Sequence, residues 1–209
     1  MSTVTGYDDL THGQTKALVS KMGGVEVAVA FLRGEYQLTP IGKAIEPLLT
    51  TAGSVPILAT TEKFTASENF VVNIMEDAKV KISYLGENFV SWFLGKIEEP
   101  FAGSELRYQT LTLNSRDLPI IEELGGEEKA EVSLTEIFTL MEAQGKGEGC
   151  TLLNNGQANI FYVRGMNNVL CDVCVYWDDR GWGVNAGPID DRRYWRDSSQ
   201  VFSRNSVTM

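Results

Sequence analysis

The sequence predicts an α+β protein: an antiparallel sheet of about seven or eight short strands, a few helices packed on one side, and an N-terminal helical pair. The first observation is a meander in the last third of the chain. Its β-branched and aromatic runs are separated by Asn, Asp and Gly turns, and they cover residues 159–164, 168–177 and 182–185. The second is a pair of capping boxes, Thr11 with Gln14 and Ser133 with Glu136, each of which starts a helix.

Two helices joined by glycines are predicted at the N-terminus. The first begins at Thr11 and ends before Gly23, and the second runs from about Val25 to Arg33. The next stretch is rich in Pro, Thr, Ser and Ala, which favours a connection. The predicted organisation is a helical pair over 1–35, a Pro/Thr-rich connection over 36–67 and an α+β main domain over 68–209.

The main domain begins with a predicted hairpin. Apolar residues alternate with others along its two strands, which cover 70–75 and 80–84. Further strands are predicted over Ser104–Leu113 and 200–203. Helices are predicted after Asn88, over Asp117–Leu124 with Ser115 or Asn114 as cap, and from Ser133 to Gly145.

Composition limits the classes of function. The 209 residues suit one sizeable domain, alone or with a small appendage, and 43% are hydrophobic, which is enough for a core. The net charge of −10 disfavours nucleic acid and anionic membranes as partners. We find no apolar run of roughly 18 residues, no secretory signal and an odd count of three cysteines, so we expect a soluble protein of the reducing cytoplasm without a membrane.

Cys171 and Cys174 have the C-x-x-C spacing of some metal and redox sites. Here the spacing lies within a predicted strand, where residues three apart point to opposite faces. Cys171 would share a face with Val173 and Val175, and Cys174 would share the other with Leu170. We predict buried structural cysteines rather than a metal or redox site, and no cofactor.

Catalytic motifs are scarce. His12 is the only histidine, and no nucleophile elbow, phosphate-binding loop or dinucleotide fingerprint is present. The weak catalytic candidates are two pairs of aspartates that could bind a cation or act in acid–base chemistry: Asp178, Asp179, Asp190 and Asp191. The competing interpretation is that these adjacent residues are solvated charge on turns.

The C-terminal segment interleaves arginine with aromatic residues, a composition typical of binding surfaces. The candidate binding residues are Arg193, Tyr194, Trp195 and Arg196. The competing interpretation is that Tyr194 and Trp195 close the core while the arginines neutralise neighbouring aspartates.

Three functions stay open on these observations. We favour a non-enzymatic binding protein whose partner is another protein or a second copy of the chain. The alternative is a hydrolase or cation-dependent enzyme that uses the paired aspartates, so catalytic activity is left undecided. The third is a DNA-binding regulator that uses the N-terminal helices, although the start of the second helix, Val25 to Val29, lacks the cations and amides that read bases.

Short sequence motifs near both ends of the chain are similar to those of one group of proteins. Leu10–Gly34, with its helix–Gly-Gly–helix and Phe31-Leu32-Arg33-Gly34-Glu35, resembles the opening of uncharacterised proteins predicted from environmental bacterial genomes. Trp182-Gly183-Val184, followed by Trp195 and by 201–205, is similar to how such proteins end. The resemblance covers about a quarter of the chain. It implies a bacterial, soluble protein and carries no activity.

Overall fold

A computed structural model describes residues 11–35 and 47–204. The helices are α1 His12–Lys21, α2 Val25–Leu32, α3 Ala66–Asn69, α4 Glu87–Phe93, α5 Asp117–Leu124, α6 Glu127–Ala130 and α7 Leu134–Ala143. The strands are β1 Leu49–Ile57, β2 Phe64–Thr65, β3 Ile82–Leu85, β4 Ile97–Glu98, β5 Ser104–Leu111, β6 Asn159–Arg164, β7 Leu170–Asp178, β8 Gly181–Pro188 and β9 Gln200–Arg204. Among the described helices, none is long and apolar enough to cross a membrane.

The chain divides into two compact units, Met1–Glu46 and Pro47–Met209. In the first, the predicted capping box of α1 is confirmed, because the Thr11 side chain accepts from the Gln14 backbone and the Gln14 side chain accepts from the Thr11 backbone. Gly23 and Gly24 follow α1 with positive φ angles, which an L side chain rarely adopts. The helical pair is therefore set by its caps and glycines.

The second unit is built on a seven-stranded sheet in the order β1-β5-β9-β6-β7-β8-β3. The predicted meander is confirmed, since β6 pairs with β7 and β7 with β8, both antiparallel. The α+β class is also confirmed, but the purely antiparallel sheet is not. β9 runs parallel to β6 and β3 runs parallel to β8, so the sheet is mixed.

Both faces of the sheet are buried. On β6, Phe161 and Val163 belong to one hydrophobic cluster, whereas Ile160 and Tyr162 belong to another. The first cluster includes residues of α3, α4 and α7, and the second includes residues of α5 and α6. The expectation of helices on one side is therefore wrong, because the central strands are apolar on both faces and each face needs a cover.

The predicted hairpin over 70–84 is also wrong. Only Ile82–Leu85 forms a strand, and its neighbour in the sheet is β8. The earlier segment makes a single antiparallel bridge, in which Asn73 exchanges both backbone hydrogen bonds with Ile82. Alternation of residue types predicted two strands here, but it does not say which strand a segment pairs with.

Part of the predicted connection belongs to the sheet. Residues 47–67 include β1, which pairs with β5 from Leu49 opposite Leu111 to Ile57 opposite Ser104. β1 lies at an edge of the sheet, where its proline at position 56 is tolerated because one side of the strand has no ladder partner. Residues 36–46 of the predicted connection lie outside the described residues.

Candidate binding surface on the C-terminal arm

Residues 189–199, which we call the C-terminal arm, join β8 to β9. Over residues 192–196 the side chains alternate in exposure: Arg192, Tyr194 and Arg196 are exposed, whereas Trp195 is buried and Arg193 is half-buried. A two-way backbone bridge between Ser115 and Trp195 holds the arm beside the start of α5. The arm thus presents one set of side chains to solvent and directs the other inward.

Beneath the arm, Asp117 anchors two aromatic side chains. Its Oδ1 accepts hydrogen bonds from Trp195 Nε1 at 2.6 Å and from the Tyr162 hydroxyl at 3.0 Å. Asp117 is fully buried at the first position of α5, and its pKa is raised because burial disfavours the charged form, although both hydrogen bonds oppose that shift. Trp195 therefore belongs to the core.

A second buried carboxylate holds Arg193. Arg193 Nη2 donates to Asp172 Oδ1 at 2.6 Å, and its guanidinium lies 4.4 Å from the centre of the Trp195 ring. Asp172 lies on β7 with no exposed side-chain area. Its pKa is raised to about 7, chiefly by burial and then by the charge of Asp117, while Arg193 opposes the shift. Asp117, Tyr162, Asp172, Arg193 and Trp195 form what we call the buried network.

The outward side chains of the arm form a small surface with Arg116, the residue before α5. The Arg116 guanidinium lies 4.7 Å from the centre of the Tyr194 ring, and Tyr194 is 58% exposed. Within the described residues, Arg116, Arg192 and Arg196 form no ion pair with any acidic side chain. We call Arg116, Arg192, Tyr194 and Arg196 the arm surface.

The sequence candidates therefore separate into two groups. Trp195 is directed inward, as the competing core interpretation expected, and Arg193 is directed inward too, where it pairs with Asp172. Tyr194 and Arg196 are directed outward. The core interpretation also expected the arginines of the segment to pair with Asp190, Asp191 or Asp197, and no such ion pair forms within the described part of the chain. Neither interpretation describes the whole segment, because alternate residues have different surroundings.

The two pairs of aspartates do not converge. Asp178 lies opposite Gly181 at the turn of the β7–β8 hairpin, and its carboxylate accepts from the backbone of Arg180 and Gly181. Asp190 and Asp191 follow the other end of β8, which is roughly 25 Å away along an eight-residue strand. Asp178 therefore stabilises a turn, and the four carboxylates form no common site.

A groove of about 580 Å³ opens elsewhere in the second unit, between residues 59–63, α3 and α7. Most of its lining residues are polar, including Glu62, Glu68 and Glu142, and the rings of Phe64 and Phe138 also line it. Glu142 forms an ion pair with Lys79. None of the candidate residues from the sequence lines this groove.

Cys171 and Cys174 lie on opposite faces of β7 and are not bonded, which confirms their predicted geometry. Cys171 belongs to the first cluster with Val173, and Cys174 belongs to the second with Leu170. Across residues 11–35 and 47–204, no three His, Cys, Asp or Glu side chains are grouped as a metal site would require.

No protein-family model, curated protein or solved structure matches this chain. The interpretation of the site therefore depends on its own residues. Sequence reasoning missed Asp117, Asp172 and Arg116. One signal was present: Asp172 lies between Leu170 and Cys174 on one face of an apolar strand, and a charge in such a position needs a partner.

Proposed function

We propose that the protein is a non-enzymatic interaction protein that binds a protein partner through the arm surface. The observation that carries this proposal is an exposed tyrosine, Tyr194, stacked with Arg116 and flanked along the arm by Arg192 and Arg196. Tyrosine and arginine contribute most to protein interfaces, because they combine large contact area with directional donors.

The buried network supports this proposal by fixing the arm from below. Asp117 holds Trp195 and Asp172 holds Arg193, so the backbone on both sides of Tyr194 is tied to the sheet and to α5. A surface that is already ordered loses less conformational entropy on binding than a free loop does. The arm surface is therefore suited to recognition.

Charge favours a protein over a nucleic acid as the partner. The exposed arginines Arg116, Arg192 and Arg196 are matched in number by the exposed Asp190, Asp191 and Asp197, so this region has no net positive charge. The whole chain carries −10. A phosphate backbone would be repelled, whereas a protein surface with its own carboxylates and donors can pair with both signs.

The test compares Tyr194→Ala with the matched control Tyr84→Ala, which removes another exposed tyrosine, 46% exposed on β3. Both variants and the native protein serve as bait in the host extract. A specific partner should be retained by the native protein and by Tyr84→Ala but lost from Tyr194→Ala, with binding weakened by about 2 kcal/mol. If both variants retain the same proteins as the native chain, the arm surface is not the binding site.

Sedimentation of the purified protein decides between the two kinds of protein partner. If the partner is a second copy, the native chain and Tyr84→Ala should form a concentration-dependent dimer and Tyr194→Ala should stay monomeric. If the native chain is monomeric throughout, the partner is a different protein.

A further inference from the structure

The buried network has two carboxylates and one guanidinium. Asp117 and Asp172 are both fully buried, and Arg193 contacts Asp172 through a 2.6 Å bond and acts on Asp117 through its charge alone. Each carboxylate also has one oxygen, Asp117 Oδ2 and Asp172 Oδ2, that is buried without a hydrogen-bond partner in the described structure. With both aspartates ionised, the network would bury one uncompensated negative charge.

The groups around Asp172 do not supply the missing positive charge. α5 contributes Asp117, β6 contributes Tyr162, β7 contributes Cys174, and the arm contributes Asp191 together with Arg193. Burial raises the pKa of Cys174 to about 12 and raises that of Tyr162, so both are neutral near pH 7. β8 contributes Gly187, where an added Cβ would lie 2.7 Å from Asp172 Oδ2.

The remaining way to neutralise the network is to bind one proton. An isolated charge in an apolar interior is so costly that a buried acid generally becomes protonated instead. The raised pKa of Asp172, about 7 against an ordinary 3.8, agrees with that expectation. Because the folded state binds this proton more tightly than the unfolded state, its contribution to stability is complete below about pH 4 and is lost as the pH rises to about 7.

When the stabilisation by this proton is lost, the arm is the element that we expect to detach. Its Arg193 pairs with Asp172 and its Trp195 donates to Asp117, so lifting the arm would open the buried network to water. Its other attachments are backbone bonds near its C-terminal end, namely the bridge to Ser115, a bond from the Asp197 backbone to Asn114 and a pair of bonds between Leu111 and residues 198 and 199, together with the packing of Ile189 against the second cluster. By contrast, β7 is paired on both sides of Asp172, with β6 from Leu170 to Val175 and with β8 from Cys171 to Asp178.

We propose that the C-terminal arm is a pH-sensitive strap, closed while the buried network holds a proton and loosened as the pH rises through neutrality. Loosening exposes Arg193 and Trp195 and removes the fixed geometry of Tyr194. This inference builds on the proposed arm surface, and it predicts that partner binding weakens on the alkaline side.

Trypsin tests the strap without any partner, because the arm carries the cleavage sites Arg192, Arg193 and Arg196 and cleavage requires local opening. The rate of arm cleavage is measured from pH 6 to pH 8 in the native protein and in Asp172→Asn. Dividing the two rates removes the pH dependence of trypsin itself. Between pH 6 and pH 8 the cleavage rate of the native protein should rise about tenfold relative to that of Asp172→Asn. This is the change expected if the pKa of Asp172 is about 7 with the arm closed and about 3.8 with the arm open.

If the rate of arm cleavage depends on pH in the same way in the native protein and in Asp172→Asn, the proposal is overturned. Should Asp172→Asn fail to fold, cleavage after the exposed Arg33 in the native chain provides the reference, because that site lies in the other unit. The ratio of arm cleavage to Arg33 cleavage should then show the same tenfold rise, and a constant ratio would overturn the proposal. Loss of partner binding in Tyr194→Ala tests the proposed function alone, so the two proposals can fail separately.

Discussion

Adjacent residues of the arm have opposite roles. Trp195 is 6% exposed and donates to Asp117, whereas Tyr194 is 58% exposed and contacts the Arg116 guanidinium. Sequence composition identified the segment but could not divide it, because both residues are aromatic and both neighbour arginines. The division depends on the bridge to Ser115, a contact between residues 80 positions apart that local pattern does not encode.

Trp195→Ala should destabilise the protein by about 3–5 kcal/mol, because it leaves a cavity and removes the donor to Asp117. Trp195→Phe keeps most of the ring but lacks the indole N–H, so its loss should be smaller. Tyr194→Ala, at an exposed position, should change stability by about 0.5 kcal/mol or less. Urea unfolding of the three variants measures this order, and a Trp195→Ala variant as stable as native would place Trp195 outside the core.

The cysteines should differ in reactivity. Cys150 is exposed, whereas Cys171 and Cys174 are buried on opposite faces of β7 and burial raises the pKa of both thiols. One thiol per chain should therefore react rapidly with a disulfide reagent, and two more only after denaturation. A Cys150→Ser variant should show no rapid reaction. Rapid reaction of two or three thiols in the native protein would contradict the buried positions.

At the scale of elements, local signals predicted the helices best. The α7 capping box forms as expected: Ser133 Oγ accepts from the Glu136 backbone, and the Glu136 carboxylate accepts from the Ser133 backbone at 2.6 Å. The apolar residues Ile137, Phe138, Leu140 and Met141 of α7 are buried as well. Caps and apolar spacing are local properties, so a sequence encodes them within a few residues.

Strand pairing was predicted less well. The meander could be predicted because its strands are joined by short turns and so pair with their neighbours in the chain. The pairing of β3 could not be predicted, because its partner β8 lies about a hundred residues later, with Ile82 opposite Trp182. The buried network was missed for the same reason, since it joins α5, β6, β7 and the arm.

At the scale of the molecule, we expect the second unit to fold without the first. A chain of residues 47–209 should keep its near-ultraviolet circular dichroism and melting temperature, because the sheet and both hydrophobic clusters lie within it. A chain of residues 68–209 should melt lower or aggregate, since it lacks β1 and leaves the edge of β5 and the buried Leu111 uncovered. If 47–209 is molten, the helical pair is needed for the fold.

The order of strands has a consequence for biosynthesis. β9, the last strand described, lies between β5 and β6, so it connects β1 and β5 with the four strands on its other side. Until β9 has emerged from the ribosome, no pairing between the other described strands joins those two parts of the sheet. The sheet can therefore be completed only after β9 has been synthesised, and a chain that stops before residue 200 would hold two incomplete sheets with open edges.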